Sequence, residues 1–217
     1  MWLSMYKINE IFYSLQGEGA NAGTPAVFIR FAGCNLCCPF CDTDFDTYTE
    51  MSAEEIIDET SKYPTDFIVL TGGEPALQVD KALVDALHSN DYVIAIETNG
   101  TCPLPKDIDW VTVSPKEGSR VVLTEADEVK VVYTGQDVEQ YLDIEAECHY
   151  LQPCWKGTKE KSTKYKGKNY KEQREKLQRE DGQDGGCPDN REEVIRYCME
   201  HPQWSMSVQL HKLLGIK

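Results

Sequence analysis

The chain has 217 residues, with 22 Lys plus Arg against 37 Asp plus Glu, a formal net charge of -15 and nine cysteines. That length suffices for a full hydrophobic core in one domain, so no disulfide scaffold is required, and the acidity argues against a nucleic-acid surface spread over the whole molecule. No run approaches the roughly 18 apolar residues of a membrane span, and the start has neither the basic nor the apolar segment of a signal peptide; the expectation is a cytoplasmic protein whose cysteines are thiols, metal ligands or redox groups.

In chain order, short apolar runs alternate with amphipathic segments: "AVFIRFA" (26-32), "SAEEIIDETSKY" (52-63), "DFIVLT" (66-71), "VDKALVDALHSN" (79-90) and "YVIAIET" (92-98). The runs read as strands buried on both faces and the segments between them as crossover helices, which predicts a parallel α/β fold. Further strands are expected at "DWVTVSP" (109-115), "EVKVVY" (128-133), "CHYLQP" (148-153) and "WSMSVQL" (204-210), with helices near 135-143 and 189-201. Most strands end in polar or turn-forming residues, "TGGEP", "ETNGT", "SPK" and "LQP", and the carboxyl ends of parallel strands are where an active site forms. Residues 155-187 break the pattern. They hold ten Lys plus Arg against six Asp plus Glu, with Leu177 as their one aliphatic residue, and read as a hydrophilic, basic insertion in a single domain spanning 1-217.

The stretch "GCNLCCPFCDTDFD" (33-46) places four cysteines within eight positions, after the first of these strands. A structural zinc site would need a second ligand pair, and no CxxC or HxxxH follows downstream; a redox CxxC and buried packing thiols are the other readings. Cys34, Cys38 and Cys41 give the spacing CxxxCxxC, with Cys37 inside the loop as a passenger. Thiolates suit iron-sulfur clusters, and three of them on a four-iron cluster leave one iron open to a substrate or cofactor.

The cysteine spacing together with "TGGEP" (71-75) resembles the radical S-adenosylmethionine enzymes. Gly72 and Gly73 would let the backbone approach a ligand with no Cβ in the way. In order along the chain, "SLQGEG" (14-19), "VFIRFAGCN" (27-35), "CDT" (41-43), "IETNGT" (96-101), "SPK" (114-116), "LQP" (151-153) and "SVQLHKLLGI" (207-216) are similar to the 7-carboxy-7-deazaguanine synthase family. The resemblance implies a trimmed (β/α) barrel of about six parallel strands with few helices. It also implies a [4Fe-4S] cluster on Cys34, Cys38 and Cys41, S-adenosylmethionine on the open iron, and Mg2+ held in part by Thr43.

The reaction so implied is the ring contraction of 6-carboxy-5,6,7,8-tetrahydropterin to 7-carboxy-7-deazaguanine with loss of ammonia, on the route to queuosine and other deazapurines. Phe40, Asp42, Gly73, Ser114, Pro115, Lys116, Gln152 and Pro153 fall at family positions that contact S-adenosylmethionine, and Leu15, Gln16, Gly17, Arg30, Thr71 and His211 at those that contact the pterin. Arg30 has the fork for the substrate carboxylate, and Gln16 and Thr71 have the donors and acceptors for a heterocycle edge. Glu97, Thr98 and Asn99 at a strand end are further candidates for the ribose or the substrate. A homodimer and an electron-donating reductase or flavodoxin are implied as partners, with nucleic acid only through the basic insertion. The family often ends "GxP", whereas these residues end "GIK". Two other readings use the same cysteines: an activating enzyme that acts on a protein partner, and a non-catalytic iron-sulfur or zinc module.

Overall fold

The computed structural model describes residues 4–41, 43, 46–154 and 190–217; the insertion at 155-187 and Asp42 lie outside the described residues. Nine strands make one sheet: β1 (Met5–Leu15), β2 (Pro25–Phe31), β3 (Thr49–Ser52), β4 (Phe67–Gly72), β5 (Val93–Thr98), β6 (Trp110–Val113), β7 (Glu125–Tyr133), β8 (Glu145–Pro153) and β9 (Ser205–Met206). Their order is β3-β1-β2-β4-β5-β6-β7-β8-β9. Every pair from β2 to β9 is parallel, and β1 and β3 add an antiparallel edge. Among the described residues the helices are few: α1 (Ala53–Thr60), α2 (Lys81–His88), α3 (Arg191–Glu200) and the short α4 (Leu210–Leu214), with 3-10 turns at Pro75–Leu77 and Glu139–Asp143.

The expected parallel α/β fold is present, with differences of detail. The strand expected over 204-210 pairs only at Ser205–Met206, and the chain then enters α4. The helix expected near 135-143 is a 3-10 turn. Local chemistry explains the two crossover helices. Ser52 and Glu55 form a reciprocal capping box that starts α1, and Asp80 accepts from the Leu83 amide at 3.0 Å to start α2.

Alternation along the strands divides the sheet into two faces. Ile29 and Phe31 of β2, Ile68 and Leu70 of β4, and Ile94 and Ile96 of β5 pack on Ile56 of α1 and on Leu83 and Leu87 of α2. Val129 and Val131 of β7 and Leu151 of β8 join Val194 of α3 and Trp204 in a second cluster. Each such fully buried side chain contributes about 1.5–3 kcal/mol relative to exposure. Residues of the other parity, among them Phe28, Arg30, Thr71, Glu97, Lys130 and Gln152, border a cavity on the opposite face.

The first strand reaches that cavity through a register shift between Ile8 and Glu10. Tyr6 and Ile8 belong to the helix-side core, whereas Glu10 and Phe12 border the cavity. A bulge of this kind changes which alternate residues face inward, and here it sets Glu10 beside Arg30 and Phe12 beside Phe28 on β2.

Candidate active site

The cavity has a volume of about 790 Å3, within the range of roughly 300–1,000 Å3 typical of small-molecule sites. Cys34, Cys38, Phe40, Cys41, Thr43 and Gly73 line one region of it, Ser114, Lys116, Gln152 and Pro153 come from the later strand ends, and Leu15, Gln16, Gly17, Arg30, Thr71 and His211 complete it. All the expected site residues thus meet there except two. Pro115 is buried behind the wall, and Asp42 is outside the described residues. Cys37 lies off the cavity, as a passenger in the loop would.

The cysteine loop is held by its neighbours. Gly73 donates its amide to Phe31 O at 3.0 Å and Glu74 donates to Gly33 O at 2.8 Å, so the turn after β4 lies directly on the loop. A Cβ on Gly73 would stand 1.9 Å from Gly33 O, and one on Gly72, whose φ is +127°, 2.3 Å from Phe31 O. These glycines are required for protein backbone to meet protein backbone, a nearer reason than the approach of a ligand. Glu74 points the other way. Its buried carboxylate accepts from Thr98 Oγ1 at 2.6 Å, from the Ala76 amide at 2.9 Å and from the Asn99 amide at 2.7 Å. Asn99 Nδ2 donates to Asn35 Oδ1 at 3.0 Å and Asn35 Nδ2 to Thr101 Oγ1 at 2.7 Å, which ties the cysteine loop to the end of β5.

The signature of the Radical SAM superfamily matches residues 28–144. Over 213 residues the chain is 48% identical to the 7-carboxy-7-deazaguanine synthase of Bacteroides thetaiotaomicron, covering 98% of this chain and all of that one. It is 39% identical to the enzyme of the same name from Nitratidesulfovibrio vulgaris over 239 residues, covering 97% and 99%. The crystal structure of QueE from Escherichia coli is similar in fold, with a TM-score of 0.68, 28% identity and 95% of each chain covered. The chain belongs to the 7-carboxy-7-deazaguanine synthase family of radical SAM enzymes.

The donor set fits the iron-sulfur cluster that this superfamily uses. Burial pushes the Cys38 thiol up to about 11, and the neighbouring Cys41, Cys34 and Cys37 add to the shift while Lys116 opposes it. Burial also raises Cys34, with Glu74 and Cys41 adding to it. Burial of this kind keeps the thiols protonated until a metal takes them as thiolate ligands and releases their protons. Among the described residues no three His, Cys, Asp or Glu side chains are grouped to hold a metal ion. Among the described residues Cys154, at the end of β8, departs from the expectation of thiols, metal ligands or redox groups, since it is disulfide-bonded. No described helix is long and apolar enough to cross a membrane.

Sequence reasoning named Gln16 and Glu97 but missed the charged network that joins them. Lys130, 3% exposed, lies 2.8 Å from Glu18 Oε2 and 3.0 Å from Glu97 Oε1, and Gln16 Nε2 donates to the same Glu97 oxygen at 3.0 Å. Burial works against the Lys130 charge, but Glu18, Glu97 and Glu128 outweigh it and hold its pKa well above the usual lysine value. Burial likewise opposes the Glu18 charge, yet Lys130 pulls that carboxyl down to about 2. Glu128 is shifted upward, chiefly by burial, and accepts from the Ala20 amide at 2.7 Å. The "QGEG" loop is fastened from the far end of the chain as well: Leu210 N donates to Gly17 O at 2.9 Å and Gln209 Nε2 to Glu18 Oε1 at 2.8 Å. Its glycines permit that closeness. A Cβ on Gly17 would lie 2.5 Å from His211 Nδ1, and one on Gly19 would lie 2.2 Å from Glu128 Oε1. The available signal was the alternation of Glu128 and Lys130 with Val129 and Val131, which marks the inward face of β7 as polar.

Proposed function

We infer that this enzyme converts 6-carboxy-5,6,7,8-tetrahydropterin to 7-carboxy-7-deazaguanine with release of ammonia. The observation that carries this reading is the convergence, in one cavity, of Cys34, Cys38 and Cys41 with a set of groups suited to a flat, carboxylated heterocycle: Gln16, Arg30, Thr71 and His211. When bound, the cluster and S-adenosylmethionine would supply the radical chemistry that starts the rearrangement.

The chain's own residues bind, orient and exclude water. Gln16, with its amide already anchored on Glu97, and Thr71 fix the heterocycle edge by hydrogen bonds. Arg30 pairs with the substrate carboxylate. Phe40, Asp42, Gly73, Ser114, Lys116, Gln152 and Pro153 would hold S-adenosylmethionine, with Pro115 supporting the turn from behind. Lys116 is placed for this by its bonds to Ser114 O at 2.7 Å and Ser114 Oγ at 2.6 Å. Thr43 would supply one oxygen ligand to Mg2+, a hard ion that takes oxygen donors and would orient the substrate's own oxygens. Lys130 compensates Glu18 and Glu97, so that acidic groups can stand against the substrate without mutual repulsion.

The same reading takes the enzyme as a cytoplasmic homodimer reduced by a flavodoxin or a similar one-electron donor. The test is anaerobic incubation of reconstituted protein with S-adenosylmethionine, a chemical reductant and the pterin. 7-Carboxy-7-deazaguanine and ammonia are expected in equal amounts. Cleavage of S-adenosylmethionine with the pterin recovered unchanged would overturn the reading.

A further inference from the structure

One buried hydroxyl joins two elements of the site that are far apart in the chain. Ser207 follows β9 and is 2% exposed, and its amide donates to Leu151 O of β8 at 2.8 Å. Its Oγ accepts from the Gly19 amide at 3.0 Å and donates to Gln152 Oε1 at 3.0 Å. The Gly19 amide can only donate, so the single hydroxyl proton is left for the Gln152 oxygen, and the chain runs in one direction from the loop to β8. Gln152 is buried and borders the cavity; with its oxygen turned to Ser207 it keeps its NH2 as the donor for a ligand.

The same bond draws in the "QGEG" loop. Ser207 holds the Gly19 amide, Glu128 accepts from the next amide, Ala20, at 2.7 Å, and Leu210 N donates to Gly17 O at 2.9 Å. Both side chains in the chain are enclosed, so water cannot replace a lost partner: without the hydroxyl, the Gly19 amide and the Gln152 oxygen lose the bond that fixes them. A ligand that immobilises Gln152 therefore fixes the hydroxyl rotor and, through it, the loop on the other side. The second ligand then has less to order, and the effect is reciprocal.

We propose that Ser207 is a positioning residue that couples the two ligand sites: it sets Gln152 for S-adenosylmethionine and the Gly17–Gly19 loop for the pterin, so that each ligand binds more tightly when the other is present. This rests on the reading above of Gln152 and the loop, and deepens it by assigning a residue that touches neither ligand and acts through both.

The experiment uses reconstituted protein without reductant, and measures 6-carboxypterin binding by its fluorescence with and without saturating S-adenosylmethionine, and S-adenosylmethionine binding by anaerobic calorimetry with and without 6-carboxypterin. In wild type each ligand is expected to tighten the other by the same factor, about five- to tenfold. Ser207→Ala should bring that factor to below about twofold. Gln152→Ala, which cuts the chain at its other end, should also lose the coupling, and adding Ser207→Ala to it should weaken S-adenosylmethionine no further. A merely structural role would lower both affinities with the factor intact, and the two substitutions would add; either result overturns the proposal. Should Ser207→Ala fail to take up iron, Gln152→Ala decides alone: retained coupling there overturns the proposal and its loss supports it. If wild type forms 7-carboxy-7-deazaguanine yet binds the two ligands independently, the proposal falls and the assigned reaction stands. If wild type neither binds 6-carboxypterin nor forms that product, both fall.

Discussion

Glu18 Oε2 lies 2.8 Å from Lys130 Nζ although the two residues are 112 positions apart and Lys130 is almost wholly enclosed. A buried lysine of this kind is stable only while its carboxylates stay, and they need it in return. Lys130→Met should therefore cost about 3–5 kcal/mol, because Glu18 and Glu97 would be left as uncompensated charges. Urea denaturation at neutral pH measures this. Addition of Glu18→Gln to Lys130→Met should return part of the loss.

The same pair gives a pH dependence with a defined sign. The Glu18 carboxyl titrates near 2 in the fold against an ordinary value of 4.5, so its contribution is complete above about 4.5 and is lost as the pH falls toward 2. The stability difference between wild type and Glu18→Gln should shrink steadily as the pH is lowered from 5 to 3 in denaturation titrations. A difference that stays constant across that window would mean that Glu18 is not paired as described.

Gly73→Ala places a methyl group where Gly33 O already is, and backbone cannot move aside as the end of a long side chain can. The turn and the cysteine loop must separate, and the expected outcome is a folded protein that takes up far less iron on reconstitution. Iron content and visible absorbance report this directly.

Cys34→Ala, Cys38→Ala and Cys41→Ala should each abolish the cluster, whereas Cys37→Ala should retain both iron and turnover, because Cys37 does not face the cavity. Iron analysis of the four variants separates the two cases.

Thr43→Ala should flatten the response of turnover to added Mg2+ while the spectroscopic change on adding S-adenosylmethionine to the cluster is preserved. An unchanged Mg2+ response would leave Thr43 as a loop residue only.

Much of the architecture was legible because β4 and β5 are continuous apolar runs and α1 and α2 carry their own caps, so local signals agree with the tertiary arrangement. The first strand was not. In "MYKINEIFYSL" the bulge between Ile8 and Glu10 breaks the alternation, so no single period runs through it, and only the pairing with β2 shows that Glu10 and Phe12 turn inward. Ser205–Met206 is too short to define a strand without β8 beside it. At the site, cysteine spacing and strand-end motifs located nearly every wall of the cavity. Lys130 and Glu18 were hidden for a different reason: a charged residue in a strand or loop reads as solvated until its distant partner is in place.

The central claim is that the cluster ligands and the pterin site face each other in one cavity. The direct measurement is an anomalous iron map from crystals grown anaerobically with S-adenosylmethionine and 6-carboxypterin. The account predicts iron bounded by the sulfurs of Cys34, Cys38 and Cys41, with the pterin in the same cavity against Gln16 and Arg30. Iron bound through Cys37, or a pterin seated outside that cavity, would contradict it.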